Sequence, residues 1–262
     1  MSLAVIRALG LCTVQDVGRR GHMHEAVPPG GALVRELFTI ANRTVNNPDD
    51  AVAIEVLGQL VVQAETDLEI AVGDEPRVLR TGEQLTITSG ARRCAYLAVR
   101  GGIATPRVLD GHGTLLCAGL GSWLRAGDTL PIGHAREVKA QPEPFLDAGP
   151  IRILPGPDPT AFAADALATL TAAPYRILPS SDRVGTRLVG AALPRVSGYR
   201  EVSRPMVQGA LEVPRDGQPI ALGPEHPTTG GYPILAVIAS SDLGRFHAIA
   251  LGGSVQFTTA PP

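Results

Sequence analysis

The segment Thr228-Thr229-Gly230-Gly231-Tyr232-Pro233 sets two hydroxyls, two glycines and an aromatic ring ahead of a proline. Glycine accepts positive φ, so consecutive N–H groups can turn to one side and form a concave anion site, to which the threonine hydroxyls add donors. Such a loop suits a carboxylate, bicarbonate or phosphate. Pro233 restricts Tyr232 to extended backbone and leads straight into an apolar run. An ordinary tight turn with a packed tyrosine explains the same residues without a ligand. His226, beside the loop, has an unperturbed pKa near neutrality and is the candidate for proton transfer. Its neighbour Pro227 can equally fix it facing solvent.

Two other clusters carry polar chemistry. Gln15-Asp16-Val17-Gly18-Arg19 is followed by Pro29-Gly30-Gly31-Ala32 at a helix entrance. A Gly-Gly step there leaves N–H groups free to face an anion, making Gln15, Arg19, Gly30 and Gly31 candidate ligand contacts. Asp16 and Arg19 are also close enough in sequence to brace a turn as a pair. In Ser180-Ser181-Asp182-Arg183-Val184-Gly185, Arg183 can clamp a carboxylate bidentately with Asp182 orienting it; a solvated turn with an ion pair is the plainer alternative. His22 and His24 would project to one side of an extended segment and could share a metal. Nothing nearby supplies further ligands, so no metal site is assigned.

Composition narrows the chemistry. The formal net charge is -2 with acids and bases interspersed, which gives no basic face for nucleic acid. Cys12, Cys94 and Cys117 have neither paired nor metal-type spacing and read as reduced core thiols in a cytoplasmic protein. The N-terminus lacks a signal-type apolar run, and the longest apolar stretch, near Ile234 to Ala239, is too short to span a bilayer. Lys139 is the only lysine and stands in a Pro-rich connector. A P-loop lysine and a biotinyl-lysine hairpin are both missing, so ATP or biotin, if used, is bound largely by another chain.

The elements that must position these residues read as mainly β. With 30 glycines and 23 prolines the chain is too rich in turn formers for a helical bundle. Alternating apolar residues predict strands at Leu68–Val72, Leu85–Thr88 and Tyr96–Val99, and apolar spacing predicts a helix over Leu33–Val45 stopped by Asn46-Asn47-Pro48. The stretch 135–150 is the expected linker, dividing residues 1–140 from 150–262. In the second half a strand is expected at Ile151–Leu154, then a helix capped by Asp158 and running to Ala172. Strands are expected at Ile220–Leu222, Ile234–Ala239 and Val255–Phe257, with a short helix capped by Asp242.

Taken in order, these segments resemble the allophanate hydrolase subunit 2 family, whose members are also described as biotin-dependent carboxyltransferases or C-type 5-oxoprolinase subunits. The carriers are Thr13 to Arg19, Val27 to Ala32, Ala41-Asn42-Arg43 with Asn47-Pro48 and Glu55, and Tyr96 to Gly102. In the second half they are Leu154 to Pro157, Ser181 to Gly185, Val213 to Pro219, and Thr228 to Pro233. The resemblance implies two tandem cyclophilin-like β-barrel domains with a few short packed helices. It also implies association with an allophanate hydrolase subunit 1-like partner, the B-type protein of the 5-oxoprolinase system, and, in some relatives, a third subunit. Relatives hydrolyse 5-oxoproline with ATP, transfer a carboxyl group from carboxybiotin to urea, or antagonise a kinase inhibitor. ATP or carboxybiotin would enter through partner subunits, with no cofactor held by this chain alone. On this reading Arg183 binds a substrate carboxylate, Thr228, Thr229, Gly230, Gly231 and Tyr232 line the anion loop, and Asp16 or His226 handles protons. The chain departs from the family pattern at Val34, which replaces an acidic residue, at Glu212, which replaces Gln, and at Pro227, which replaces Gln.

Overall fold

The computed structural model describes residues 1–136, 138, 141–145 and 149–260, so part of the expected linker, including Lys139, lies outside the described residues. The chain forms two compact units, one of Met1–His22 and Pro29–Leu146, the other of Met23–Pro28 and Asp147–Pro262. Both are mainly β, and each wraps a sheet around its own apolar core.

In the first unit the sheet runs in the order Glu75–Leu79, Leu68–Val72, Ala95–Val99, Ala53–Ala64, Ser2–Gln15, Thr129–Pro131, and Gln84–Thr88 adds to Ala53–Ala64. Every pairing in it is antiparallel. The strand Ser2–Gln15 alternates at its start, with Leu3 and Val5 buried, but Cys12 to Gln15 are buried on both faces. That end of the strand carries Gln15 into the interior. Leu3, Ile54, Leu60, Ile70 and Leu97 are among the side chains that fill the core.

The helix α1 spans Arg35–Thr44, two residues shorter at its start than its apolar spacing suggests. The reason is an internal anion. The Glu55 carboxylate accepts the Leu33 N–H at 2.7 Å and the Tyr96 hydroxyl at 2.6 Å, while Val34 N–H donates to the Tyr96 oxygen at 2.9 Å. These bonds hold Leu33 and Val34 outside the helix and satisfy donors that its first turn leaves open. Burial pushes the Tyr96 hydroxyl well above its ordinary pKa, so it stays protonated and donating. Phe38 of α1 packs edge-on against Tyr96, with ring centroids 5.8 Å apart. At the other end Asn46 takes φ of 55°, and Asn47 bonds Asn42, Val99 and Gly101, which stops the helix and ties it to the sheet.

The second unit's sheet runs Ser254–Val255, Tyr175–Ile177, Gly185–Val189, Ile220–Leu222, Ala210–Glu212, Ile234–Ile238, Ile151–Pro155, Phe257–Thr259, its last pairing parallel. The strand expected at Val255–Phe257 is two short strands at opposite edges of this sheet. A separate ribbon pairs Arg204–Pro205 with Thr229–Gly230. The long helix expected after Asp158 is instead a 3-10 turn at Pro159–Ala161 followed by α2 at Ala166–Ala172. Neither expected cap forms. Asp158 makes no cap bond, and Asp242, ahead of α3 at Leu243–Ala248, turns its carboxylate to the Arg152 guanidinium at 2.7 Å. That bond holds the Asp242 carboxyl below its ordinary range. Cys12 and Cys94 are core residues, and burial pushes the Cys12 thiol up to about 11. Cys117 is exposed, contrary to the core position expected for it.

Glu55→Ala strands the Leu33 N–H and the Tyr96 hydroxyl, and should cost about 3 kcal/mol of stability; Tyr96→Phe should cost about 1 to 2 kcal/mol. In urea unfolding the double variant should fall short of the sum, because both residues belong to one network. A Glu55→Ala midpoint equal to that of the parent would remove this role.

Candidate functional site

In the first unit the three polar residues after Val14 all face one loop. Gln15 donates from Nε2 to the Thr114 carbonyl at 3.2 Å. One Asp16 oxygen accepts the Gly18 N–H at 2.9 Å and the other the His112 N–H at 2.6 Å. Arg19, buried to 2 % exposure, donates from Nε to Val108 O at 2.9 Å and from Nη2 to Gly113 O at 2.7 Å. Desolvation lowers the Arg19 pKa, with the nearby Asp16 charge opposing it. Asp16 and Arg19 therefore do not brace each other: both template the segment 108–114. Leu109 and Asp110 at its tip sit at φ of 49° and 63°, a conformation L residues adopt at a cost, and the cradle beneath stabilises it.

Gly30 and Gly31 do take positive φ, 63° and 85°. The space beside Gly31 is filled by backbone, since an added Cβ would meet Gly18 N at 2.9 Å. Arg19 N–H bonds Pro29 O at 2.6 Å, and Ala32 N–H bonds Asp16 O at 3.0 Å. The glycines allow two chain segments to touch, and the anion at the helix entrance is the protein's own Glu55.

The second unit presents a different arrangement. Arg183 is 2 % exposed and donates from Nε to Glu225 at 2.6 Å, itself 5 % exposed. The Asp182 oxygen accepts the Val184 and Gly185 N–H groups at 2.9 Å each, closing a local turn. A guanidinium so placed is out of reach of a ligand carboxylate in solvent. The pair instead roots the chain entering the Thr228 loop, because Glu225 immediately precedes His226, and Glu225 N–H also bonds Arg183 O.

His226 is 1 % exposed, and its Nδ1 lies 2.8 Å from the Pro227 carbonyl. A carbonyl only accepts, so Nδ1 carries the proton and Nε2 the lone pair of the neutral ring. Desolvation lowers the His226 pKa, with the bond to Pro227 O opposing. Beyond it, Met206 N–H bonds Thr228 O at 3.0 Å, and Thr229–Gly230 pairs with Arg204–Pro205. Gly230 and Gly231 both lie outside the left-handed region, so the loop is a short extended ribbon and not the N–H nest its glycines suggest. Thr229 and Tyr232 are exposed, Tyr232 to 42 %.

The exit of the loop is held by a residue that the sequence marked only as a cap. The Asp158 carboxylate accepts Ile234 N–H at 2.8 Å, the Tyr199 hydroxyl at 2.9 Å and Arg204 Nη2 at 2.8 Å. It thus joins the strand after the loop to the opposite arm of the ribbon. Beneath the ribbon, Met206 clusters with Ala210, Leu222 and Ile234. Asp158, Tyr199, Arg204 and Glu225 carry no local signal of this role; only the Pro155-Gly156-Pro157-Asp158 run, dense in turn formers, marks the spot. His22 lies 3.6 Å from Asp110 and His24 3.8 Å from Glu25, each with its own acidic neighbour. No group of three or more potential metal ligands occurs among the described residues, and none of their helices is long and apolar enough to cross a membrane.

The family described as carboxyltransferase domain, subdomain A and B, matches residues 25–259. The C-type 5-oxoprolinase subunit of Escherichia coli (strain K12) is 35% identical over 97% of this chain and 90% of its own length. The Haemophilus influenzae protein of the same name is 29% identical over 94% and 87%. A urea amidolyase of Lachancea kluyveri is 27% identical over 94% of this chain but only 16% of its own length. Among solved structures, TTHA0988 superposes with a TM-score of 0.85 at 28% identity; the chain covers 55% of it. The Kluyveromyces lactis urea amidolyase gives a TM-score of 0.89 at 22% identity over 19% of its length, a likeness of fold.

Two measurements test the loop's supports. Asp158→Ala should speed amide exchange at Ile234 and Met206 while leaving the Tyr175–Ile177 strand unchanged; unchanged exchange at Ile234 would refute the anchor. His226, held neutral in the fold, takes up a proton on unfolding near pH 6.5. The unfolded state then binds more protons, so stability should fall as pH drops from about 7 through 6.5 toward the lowered folded pKa. His226→Gln should flatten that part of the stability–pH curve, and an identical slope in both proteins would count against the buried neutral imidazole.

Proposed function

We propose that this chain, which belongs to the carboxyltransferase domain, subdomain A and B, family, is the C-type subunit of an ATP-dependent assembly that hydrolyses 5-oxoproline to glutamate. The observation that carries the reading is end-to-end correspondence. The C-type 5-oxoprolinase relatives match this chain over 90% and 87% of their own lengths, whereas a urea amidolyase is matched over 16%. Identity is also higher in the first system, 35% and 29% against 27%.

The second unit's loop suits part of that chemistry. Opening a lactam places negative charge on the carbonyl oxygen, and preorganised donors stabilise it most when they need not move. The Thr228 and Thr229 hydroxyls and the unpaired edge of the Thr229–Gly230 strand offer such donors from a ribbon fixed at both ends. Tyr232 stands exposed beside them. His226, 1 % exposed, does not reach the ligand and positions the loop through its bond to Pro227 O. In the first unit, Gln15, Asp16 and Arg19 order the 108–114 loop and act on ligand through that loop, while Gly30 and Gly31 let the chain approach Gly18. ATP, the B-type partner and any third subunit supply the remainder, in the cytoplasm. Carboxyl transfer from carboxybiotin is the second reading, favoured by the family's own description; the same donors would then face a bicarbonate or carbamate oxygen.

The test is to co-express the chain with its B-type partner and the ATP-dependent subunit, and to measure ATP hydrolysis with 5-oxoproline and, separately, the loss of carboxybiotin with urea. Stimulation by 5-oxoproline is expected, and Thr229→Val should lower kcat/KM about 10- to 100-fold with an unchanged melting temperature. Urea-dependent loss of carboxybiotin without stimulation by 5-oxoproline selects the second reading. A tight complex stimulated by neither makes the chain a regulatory binding protein.

A further inference from the structure

The sheet face that carries the ribbon also holds two charged side chains that the loop chemistry leaves unused. Arg187 is opposite Ile220, and Ile220 is opposite Glu212, which in turn faces Ile234. Residues directly opposite share a face, so the four form one row across adjacent strands. Their neighbours Leu188, Leu211 and Ala221 point the other way, into the main core. Ile234 belongs to the small cluster with Met206, Ala210 and Leu222 under the ribbon. An added Cβ on Gly230 would touch Met206 at 3.1 Å, which places the loop directly over this face.

Among the described residues neither the Arg187 guanidinium nor the Glu212 carboxyl has a hydrogen bond or ion pair. Arg187 is exposed, but Glu212 is half-buried, and a carboxylate taken from water without a partner is costly unless a ligand completes it. Burial raises the Glu212 pKa, and Arg187 opposes that shift, so the two sense each other without touching. Two strand spacings separate their backbones by roughly 10 Å, with Ile220 between the two ends.

We propose that this row is a subsite for a small carboxylic acid that carries an N–H, with Arg187 taking the carboxylate and Glu212 accepting from the N–H. A planar guanidinium is suited to a carboxylate, and a carboxylate or carboxyl oxygen accepts from a lactam or amino N–H. The carboxylate contact expected of Arg183 is thereby moved to Arg187, four residues along the same chain. The inference deepens the 5-oxoproline reading and rests on it for the identity of the ligand; the recognition geometry stands on the row itself.

The experiment titrates the full chain, and in parallel its complex with the B-type partner, with three probes followed by calorimetry and amide NMR. They are 5-oxoproline, cyclopentanecarboxylate, which lacks the N–H, and 2-pyrrolidinone, which lacks the carboxylate. 5-Oxoproline should bind at least about tenfold more tightly than either fragment and perturb amides of the Gly185–Val189 and Ala210–Glu212 strands. Arg187→Gln should erase its advantage over 2-pyrrolidinone, and Glu212→Ala its advantage over cyclopentanecarboxylate, with parent-like melting curves in both. Equal binding of the three probes, parent-like affinity in both variants, or no saturable binding in either preparation overturns the subsite. If the variants turn over 5-oxoproline with parental KM, the subsite fails while the proposed reaction stands. If the binding pattern holds but 5-oxoproline stimulates no ATP hydrolysis, the reaction fails while the subsite stands.

Discussion

The Asp158 carboxylate is the constraint on which the second unit's polar surface depends. The Arg204–Pro205 and Thr229–Gly230 ribbon has two residues in each strand, too little to hold a shape in water by its own hydrogen bonds. Its order must come from outside. Asp158 supplies it at two points, through the Ile234 N–H after the loop and the Arg204 guanidinium on the opposite arm. The Arg183–Glu225 pair does the same at the loop's entry. A buried carboxylate is unfavourable alone, but one that receives a backbone N–H, a phenol and a guanidinium is compensated at both oxygens. Removing it would leave three donors unmet together, so the loop's geometry and local stability are one property.

The first unit solves a similar problem in the same way. Glu55 takes the Leu33 N–H, and Asp16 takes the N–H groups of Gly18 and His112. Backbone donors that an external anion could have used are occupied by the chain's own carboxylates. The consequence is structural: the helix entrance and the 108–114 loop are held rigid, and the positive ends of these elements are not vacant receptors. Val34 fits this arrangement, since an apolar side chain at the helix boundary is tolerable where Glu55 and Tyr96 already satisfy the backbone.

Periodicity made much of the fold legible. The strands at Leu68–Val72 and Ile220–Leu222 have the bounds their apolar pattern implies, because Asp67 and Gly73 bound the first run and Pro219 and Gly223 the second. Cap chemistry misled, for a general reason. Asp158 and Asp242 both stand where an N-cap belongs, but each found a guanidinium distant in sequence, Arg204 and Arg152, and a charge-assisted pair outcompetes a cap bond. The expected 158–172 helix is interrupted at Phe162, which is extended. Glycine misled likewise: Gly30-Gly31 and Gly230-Gly231 look alike in sequence, yet only the first pair adopts positive φ. What separates them is the partner strand, and strand pairing is not written locally.

Polarity over the loop face has to be read by side chains. A nest of N–H groups would bind any small anion with little discrimination, and Gly230 and Gly231 do not build one. A ribbon edge alternates donors and acceptors, so by itself it favours neither an anion nor a cation. With Pro227 offering no amide at the loop's shoulder and Arg183 paired with Glu225, the charged groups in the row across that face are Arg187 and Glu212, one of each sign. Such a surface favours a ligand that carries both an acceptor and a donor at fixed separation over one that carries either alone. Selectivity of that kind needs a floor that does not move, and the strands beneath Arg187, Ile220 and Glu212 provide it through pairings fixed by the main core.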